Sequence, residues 1–228
     1  MTYPGGKGQL YQKIINLIPI HDIYIEPFVG GGAVLRNKRP ARSSIAIDSD
    51  TSAINKLTLD LVKNGDSGHT KFIVTDAIKW LERYTFTGNE FIYLDPPYLM
   101  STRRCHRQLY RCELSTEAEH SHLLDIVETI PSPVMISGYM SQLYAIRLKN
   151  WYTRSFKVRT RGGSWATEYI WMNYPAPVVL HDYQHLGDTF RERERIKRKT
   201  HRWVNRLQHL PRLERQAILS AINEVVCD

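Results

Sequence analysis

The sequence predicts an α/β fold: a mostly parallel sheet with helical crossovers, closed by an antiparallel hairpin and followed by a basic helical tail. Three observations carry this. Runs of β-branched and aromatic residues at 22–26, 43–48, 71–74, 90–94 and 133–137 have the length and composition of buried strands. Helical patterns alternate with them, which is the order of a parallel sheet with right-handed connections. After Pro175-Ala176-Pro177 the pattern changes to charge. We therefore divide the chain into a domain over 1–175 and a tail over 176–228.

The bulk properties narrow the class. With 42% hydrophobic and 24% charged residues in a chain of 228, this is an ordinary globular composition. No apolar run reaches the ~20 residues of a membrane span, and the amino terminus lacks a secretory leader pattern. Three cysteines, Cys105, Cys112 and Cys227, make no disulfide framework, so a reducing, cytoplasmic setting is expected. The net charge of +8 suggests a polyanionic partner. That charge is concentrated: 191–215 holds ten Lys or Arg against three Glu.

Taken in order, the chain opens on Tyr3-Pro4-Gly5-Gly6-Lys7-Gly8, before a helical face of Leu10, Ile14, Leu17 and Ile18. Successive glycines before a helix leave amides open to an anion, although this is no Walker loop, because Gly8 follows the lysine. The first strand, 22–26, ends at Glu26 and meets Pro27-Phe28-Val29-Gly30-Gly31-Gly32-Ala33, then a short helical segment containing Val34 and Leu35. Strand, glycine turn and helix form the nucleotide cradle of doubly wound sheets, here without the G-x-G-x-x-G spacing. The second strand ends at Asp48, placed to accept ribose hydroxyls. A helix over 51–63, a turn at 64–68, a third strand ending before Asp76-Ala77, and a helix around 78–81 follow.

The fourth strand, 90–94, runs into Asp95-Pro96-Pro97-Tyr98. Neither proline can donate to a ladder, so the acid and the tyrosine are fixed on a stiff turn at a strand's carboxyl end, where open α/β sheets bind ligands. The stretch 99–111 is basic with interleaved aromatics, the composition of a phosphate-gripping lid. Thr116 and Glu119 form a capping box, which puts His120 and His122 in a helix; with Cys105, His106 and Cys112 they do not have zinc-site spacing, and no metal is expected. The segments 152–158 and 167–173 read as a closing hairpin whose tip, 159–165, again mixes arginines with an aromatic. Thr189 and Glu192 open a basic helix to about 209. Leu207, Leu210, Leu213, Ile218, Leu219 and Ile222 then suggest two short helices packing around Pro211.

Tyr3-Pro4-Gly5-Gly6-Lys7, Glu26-Pro27-Phe28-Val29-Gly30-Gly31-Gly32 and Asp95-Pro96-Pro97-Tyr98, in that order, resemble the Dam-type adenine-specific DNA methyltransferases. Ile136-Ser137-Gly138-Tyr139 and the run from Thr167 to Tyr174 are similar to that family's later strands. The resemblance implies a Rossmann-like methyltransferase sheet and S-adenosyl-L-methionine as cofactor. It implies a cofactor site of Tyr3, Gly5, Gly6, Lys7, Glu26, Pro27, Phe28, Gly30, Gly31, Gly32, Asp48, Asp76, Ala77 and Asp95, with Lys7 meeting the methionine carboxylate, Asp48 the ribose and Asp76 the adenine edge. It implies catalysis by Asp95, Pro96, Pro97 and Tyr98 on the N6 amino group of an adenine flipped out of duplex DNA. Arg103, Arg104, Arg107, Arg161, Lys197, Arg198, Lys199 and Arg202 are the expected nucleic-acid contacts. A bacterial or phage-encoded enzyme, of the kind met in restriction-modification, is expected. RNA adenine and cytosine N4 remain alternative targets, and a catalytically idle nucleic-acid-binding module a further alternative. In one respect the chain departs from the family: between Asp48 and Asp95 there is no room for the usual target-recognition domain.

Overall fold

The computed structural model describes residues 7, 8, 10–65, 68–102, 114, 116–159 and 163–226. Their elements are α1 (Tyr11–Ile15), β1 (Ile23–Glu26), β2 (Ser43–Asp48), α2 (Thr51–Lys63), β3 (Thr70–Val74), α3 (Ala77–Arg83), β4 (Glu90–Leu94), a 3-10 turn (Met100–Thr102), α4 (Glu117–Thr129), β5 (Val134–Gly138), α5 (Gln142–Arg147), β6 (Tyr152–Arg159), β7 (Trp165–Met172), α6 (Phe190–His209) and α7 (Arg212–Val226). The seven strands form one sheet in the order β3-β2-β1-β4-β5-β7-β6. Only β7 runs against the others, pairing antiparallel with both β5 and β6. This is the Rossmann-like, mostly parallel sheet with the closing antiparallel hairpin that the sequence predicts.

The apolar pattern explains the layering. Every residue of β4 and β5 is buried, as befits central parallel strands covered on both faces. Tyr24, Phe91, Tyr93 and Met135 point to one face, against Leu10 and Ile14 beside α1 and Ile54 and Leu57 of α2. Ile25, Ile92, Leu94 and Ile136 point to the other, against Leu81 of α3, Leu123, Leu124 and Val127 of α4 and Tyr144 of α5. The crossovers therefore deliver all the parallel strands' carboxyl ends to one edge, where Glu26, Asp48 and Asp95 emerge.

Two local expectations are corrected, and one element is added. The segment around Val34 and Leu35 forms turns, not a regular helix: Gly30 and Gly32 have positive φ, and Pro40 follows closely. Gly32 is also closely packed: a Cβ there would lie 2.7 Å from a methyl group of Leu57. A short helix, α5, follows β5; its signal is Ser141, whose side chain accepts the Tyr144 amide. The apolar stripe beyond Pro211 does not pack on α6, since Leu213, Ile218, Leu219 and Ile222 are all exposed. Alternating charges over much of α6 leave it no apolar face wide enough to receive them.

The chain divides into two compact units, 1–183 and 184–228. Residues 176–183 belong to the first: Leu180 bridges Pro19, the His181 amide donates to the Ile18 carbonyl (3.0 Å), and the Arg39 amide donates to Asp182 (2.8 Å). In the second unit, Thr189 caps α6 by accepting the Glu192 amide. Among the described residues, no helix is long and apolar enough to cross a membrane.

Candidate active site

The Pro96-Pro97 turn ends β4 and leaves Asp95 at the sheet's carboxyl edge, with 17% of its side chain exposed. Its Oδ1 accepts two hydrogen bonds, from the Lys7 ammonium (2.7 Å) and from Ser137 Oγ at the end of β5 (2.9 Å). Ser137 has one proton and gives it to Asp95, so the Tyr93 hydroxyl donates to Ser137 (2.9 Å). Asp95 Oδ2 has no partner among the described residues.

Lys7 is buried just before α1 and has three donors. One goes to Asp95, one to Glu168 Oε1 (2.5 Å) and one to the Tyr98 hydroxyl. Tyr98 in turn donates to Glu168 Oε1 (2.5 Å), and its ring packs against Tyr139 at 4.5 Å between centroids. The resulting cluster has two carboxylates and one ammonium, an excess of one negative charge. Burial alone would discharge Lys7, but Asp95 and Glu168 outweigh it and raise its pKa above that of an ordinary lysine. Burial, aided by Glu168, pushes Asp95 up, against the opposing pull of Lys7. The contact with Lys7 favours its ionised form. Tyr93 and Tyr98 are pushed well above the usual phenol value by burial and by Asp95, so both remain neutral donors.

Lys7, which the resemblance places at the methionine carboxylate, has its three donors on Asp95, Glu168 and Tyr98. Glu26 is buried beside this cluster, not lining its opening, and accepts from the Tyr24 hydroxyl (2.8 Å). Pro27 and Gly30 are buried in the turn, Gly31 and Phe28 half-buried. Asp48 holds the turn itself, accepting the Gly30 amide (2.8 Å) and the Asp50 amide (2.9 Å). Asp76 is exposed and caps α3 through the Lys79 amide (3.0 Å), with Ala77 buried behind it. Tyr3, Gly5, Gly6, Arg103, Arg104, Arg107 and Arg161 lie outside the described residues, as do Cys105, His106 and Cys112. Among those described, no group of His, Cys, Asp and Glu could hold a metal. His120 bonds the Tyr144 hydroxyl and His122 bonds Glu82, both at 2.8 Å. Lys197, Arg198, Lys199 and Arg202 are exposed on α6.

One site residue escapes motif reading. Glu168 lies within β7, where an acid reads as an ordinary outward-facing strand residue. The only signal is its position on the face shared with apolar Ile170 and Met172.

A family model for the D12 class N6 adenine-specific DNA methyltransferases matches residues 3–67 and 55–162. The chain belongs to that family. It is a methyltransferase, and its methyl donor is S-adenosyl-L-methionine. No curated protein matches it by sequence. Among solved structures it is similar to magnesium protoporphyrin IX methyltransferase from Synechocystis PCC 6803 with bound SAM, at 9% identity and TM-score 0.49, covering 73% of this chain and 79% of that one. It is also similar to an rRNA methylase from Streptococcus thermophilus, at 14% identity and TM-score 0.46, covering 72% and 93%. These likenesses are too distant to carry an argument about substrate.

The residues present fit the cofactor. Asp48 is partly exposed at the tip of β2, where an acid can accept ribose hydroxyls. The negative excess of the Asp95 cluster complements a sulfonium.

Proposed function

We propose that the chain methylates the N6 amino group of adenine in DNA, and that Asp95 binds that amino group. The observation that carries this reading is the Asp95 carboxylate, with Oδ1 saturated by Lys7 and Ser137 and Oδ2 left at the sheet edge beside the Pro96-Pro97 turn. S-adenosyl-L-methionine supplies a methyl group activated on a sulfonium. An adenine amino nitrogen is a weak nucleophile, because its lone pair is delocalised into the ring. Asp95 Oδ2 accepts one of its hydrogens and the Pro96 carbonyl the other, which favours a pyramidal nitrogen and offsets the charge that develops on it. Asp95 Oδ2 would receive the N6 proton as the methyl carbon exchanges its bond to sulfur for one to nitrogen, the sulfonium leaving as a neutral thioether. The rigid turn supplies orientation, which is most of what such a displacement requires. The Tyr98 and Tyr139 rings offer an aromatic edge beside an extruded base.

DNA is held without a recognition domain between Asp48 and Asp95, where α2, β3, α3 and β4 occupy the whole interval. We assign phosphate contacts to the exposed cations of α6 and to the hairpin face where Arg159 pairs with Trp165, which is 65% exposed. Phosphate contacts carry no sequence information, so these cations position the DNA without choosing the target sequence. Methylation-sensitive sequencing of plasmid DNA from cells expressing the protein tests the proposed activity: N6-methyladenine is the expected product. Methyl groups on cytosine N4, or on RNA alone, would contradict it. Replacing Lys197, Arg198, Lys199 and Arg202 together by alanine should weaken DNA binding at low salt. It should also flatten log affinity against log salt by about 0.9 for each phosphate left without its cation.

A further inference from the structure

Glu168 lies on the face of β7 that packs into the core, opposite Phe156 in the β6 register and only 6% exposed. An isolated carboxylate buried there would be strongly destabilising. Its partners account for its presence, and they are specific. Oε1 accepts from Lys7 Nζ and from the Tyr98 hydroxyl, both at 2.5 Å. Lys7 also holds Asp95 Oδ1 at 2.7 Å. Glu168 thus reaches both functional side chains of the Asp95-Pro96-Pro97-Tyr98 turn, one directly and one through a shared ammonium. A purely structural acid could be satisfied by a backbone amide or a single cation. Among the described residues, this one has its side-chain partners in the site.

We propose that Glu168 is a positioning residue for methyl transfer: by holding Lys7 and Tyr98 on one oxygen, it fixes the orientation of Asp95 that presents Oδ2 to the target amino group. The proposal rests on the reading of Asp95 as the acceptor of that amino group. It makes Glu168 a contributor from the carboxyl-terminal hairpin, outside the three motifs.

The arrangement has a pH signature. The groups facing Asp95 are Lys7 from the segment before α1, Tyr24 and Glu26 from β1, Tyr93 from its own strand, Tyr98 from the turn, Ser137 from β5 and Glu168 from β7. Of these, Lys7 favours the Asp95 carboxylate, whereas Glu168 opposes it. Catalysis requires that carboxylate, so the acid limb of kcat follows Asp95. Removing the Glu168 charge should move the limb to lower pH, and removing the Lys7 charge should move it to higher pH.

The test measures methyl transfer to DNA at saturating cofactor and DNA across the pH range for wild type, Glu168→Gln, Glu168→Asp, Lys7→Gln and Asp95→Ala, with thermal melts beside each. Glu168→Gln should lower kcat on the order of tenfold to a hundredfold through misalignment, with KM for DNA little changed and the acid limb shifted down. Lys7→Gln should shift the limb up. Glu168→Asp keeps the charge but falls one methylene short of its two partners; kcat should drop while the limb stays in place. Wild-type kcat and limb in Glu168→Gln would overturn the proposal, as would limbs moving the same way in Glu168→Gln and Lys7→Gln, which reports general loosening. If Glu168→Gln does not fold, Glu168→Asp decides: unchanged kcat overturns the proposal. Near-normal turnover in Asp95→Ala would instead remove the reading of Asp95 on which it rests.

Discussion

Two regions of this protein carry the same charged stoichiometry, one cation between two carboxylates, and put it to different use. Arg147 at the end of α5 holds Asp125 (2.7 Å) and Glu128 (3.0 Å) of α4, with those acids 61% and 37% exposed. Lys7 holds Asp95 and Glu168 with its ammonium and Glu168 nearly sealed from water. At the surface, water screens the contact and weakens it. In the core the charges depend on one another, so geometry and ionisation are tied together. A third pair sharpens the point. Glu26 and Lys38 are as buried as Lys7, yet among the described residues neither makes an ion pair. Lys38 donates instead to the Arg39 carbonyl (3.2 Å) and lies 4.1 Å from the Tyr24 ring centre. Burial pushes Glu26 up to about 8 and Lys38 down to about 8. Burial alone moves groups toward neutrality, and direct contact keeps them charged.

The largest expected effect comes from breaking the buried triad. Lys7→Met leaves two carboxylates in the core with no cation and should cost about 3–5 kcal/mol of stability at neutral pH, read by chemical denaturation. A loss no greater than that of a surface pair would place the triad in effective contact with water. A middle effect tests the unpaired groups. Between the ordinary carboxylate value of 4.5 and about 8, folded Glu26 keeps a proton that the unfolded chain has lost. Its contribution to stability should therefore fall as pH rises through that window, by up to about 1.4 kcal/mol per unit. From about 8 to 10.5, the unfolded chain keeps the Lys38 proton and the folded one does not, so stability recovers. Glu26→Gln should abolish the falling limb and leave the recovery; a falling limb that persists would assign it to another group. The smallest effect belongs to Arg147→Ala, about 1 kcal/mol or less and diminishing with added salt.

The fold was legible because each strand is a short apolar run bounded by turn residues, and because Thr116 opens a helix with a capping box and Thr189 caps another by accepting the Glu192 amide, although the Glu192 side chain bonds the Asp188 amide and closes no box. Asp95 and Tyr98 were legible because two prolines mark a strand end chemically. Three features were not. The residues after Gly32 have helical composition, but positive φ at the glycines diverts them into turns. The stripe beyond Pro211 has the spacing of a packed helix, and only the partner face, too charged to receive it, decides otherwise. Glu168 and Lys7 lie at opposite ends of the domain, and only the hairpin's return beside β5 brings them together. A charge whose role depends on its partner cannot be read from its own neighbourhood in sequence.

We propose that Asp95, paired with Lys7 in the core, binds the adenine amino group during transfer. Single-turnover methyl transfer from labelled S-adenosyl-L-methionine tests it most directly, with wild type and Asp95→Asn acting on duplex DNA containing one adenine, duplex DNA containing none, and RNA of matching sequence. The account predicts N6-methyladenine in the first duplex only, with a rate in Asp95→Asn lower by on the order of 10²-fold or more while the variant still folds and binds cofactor. Equal rates in the two proteins, or label in the adenine-free duplex, would contradict it.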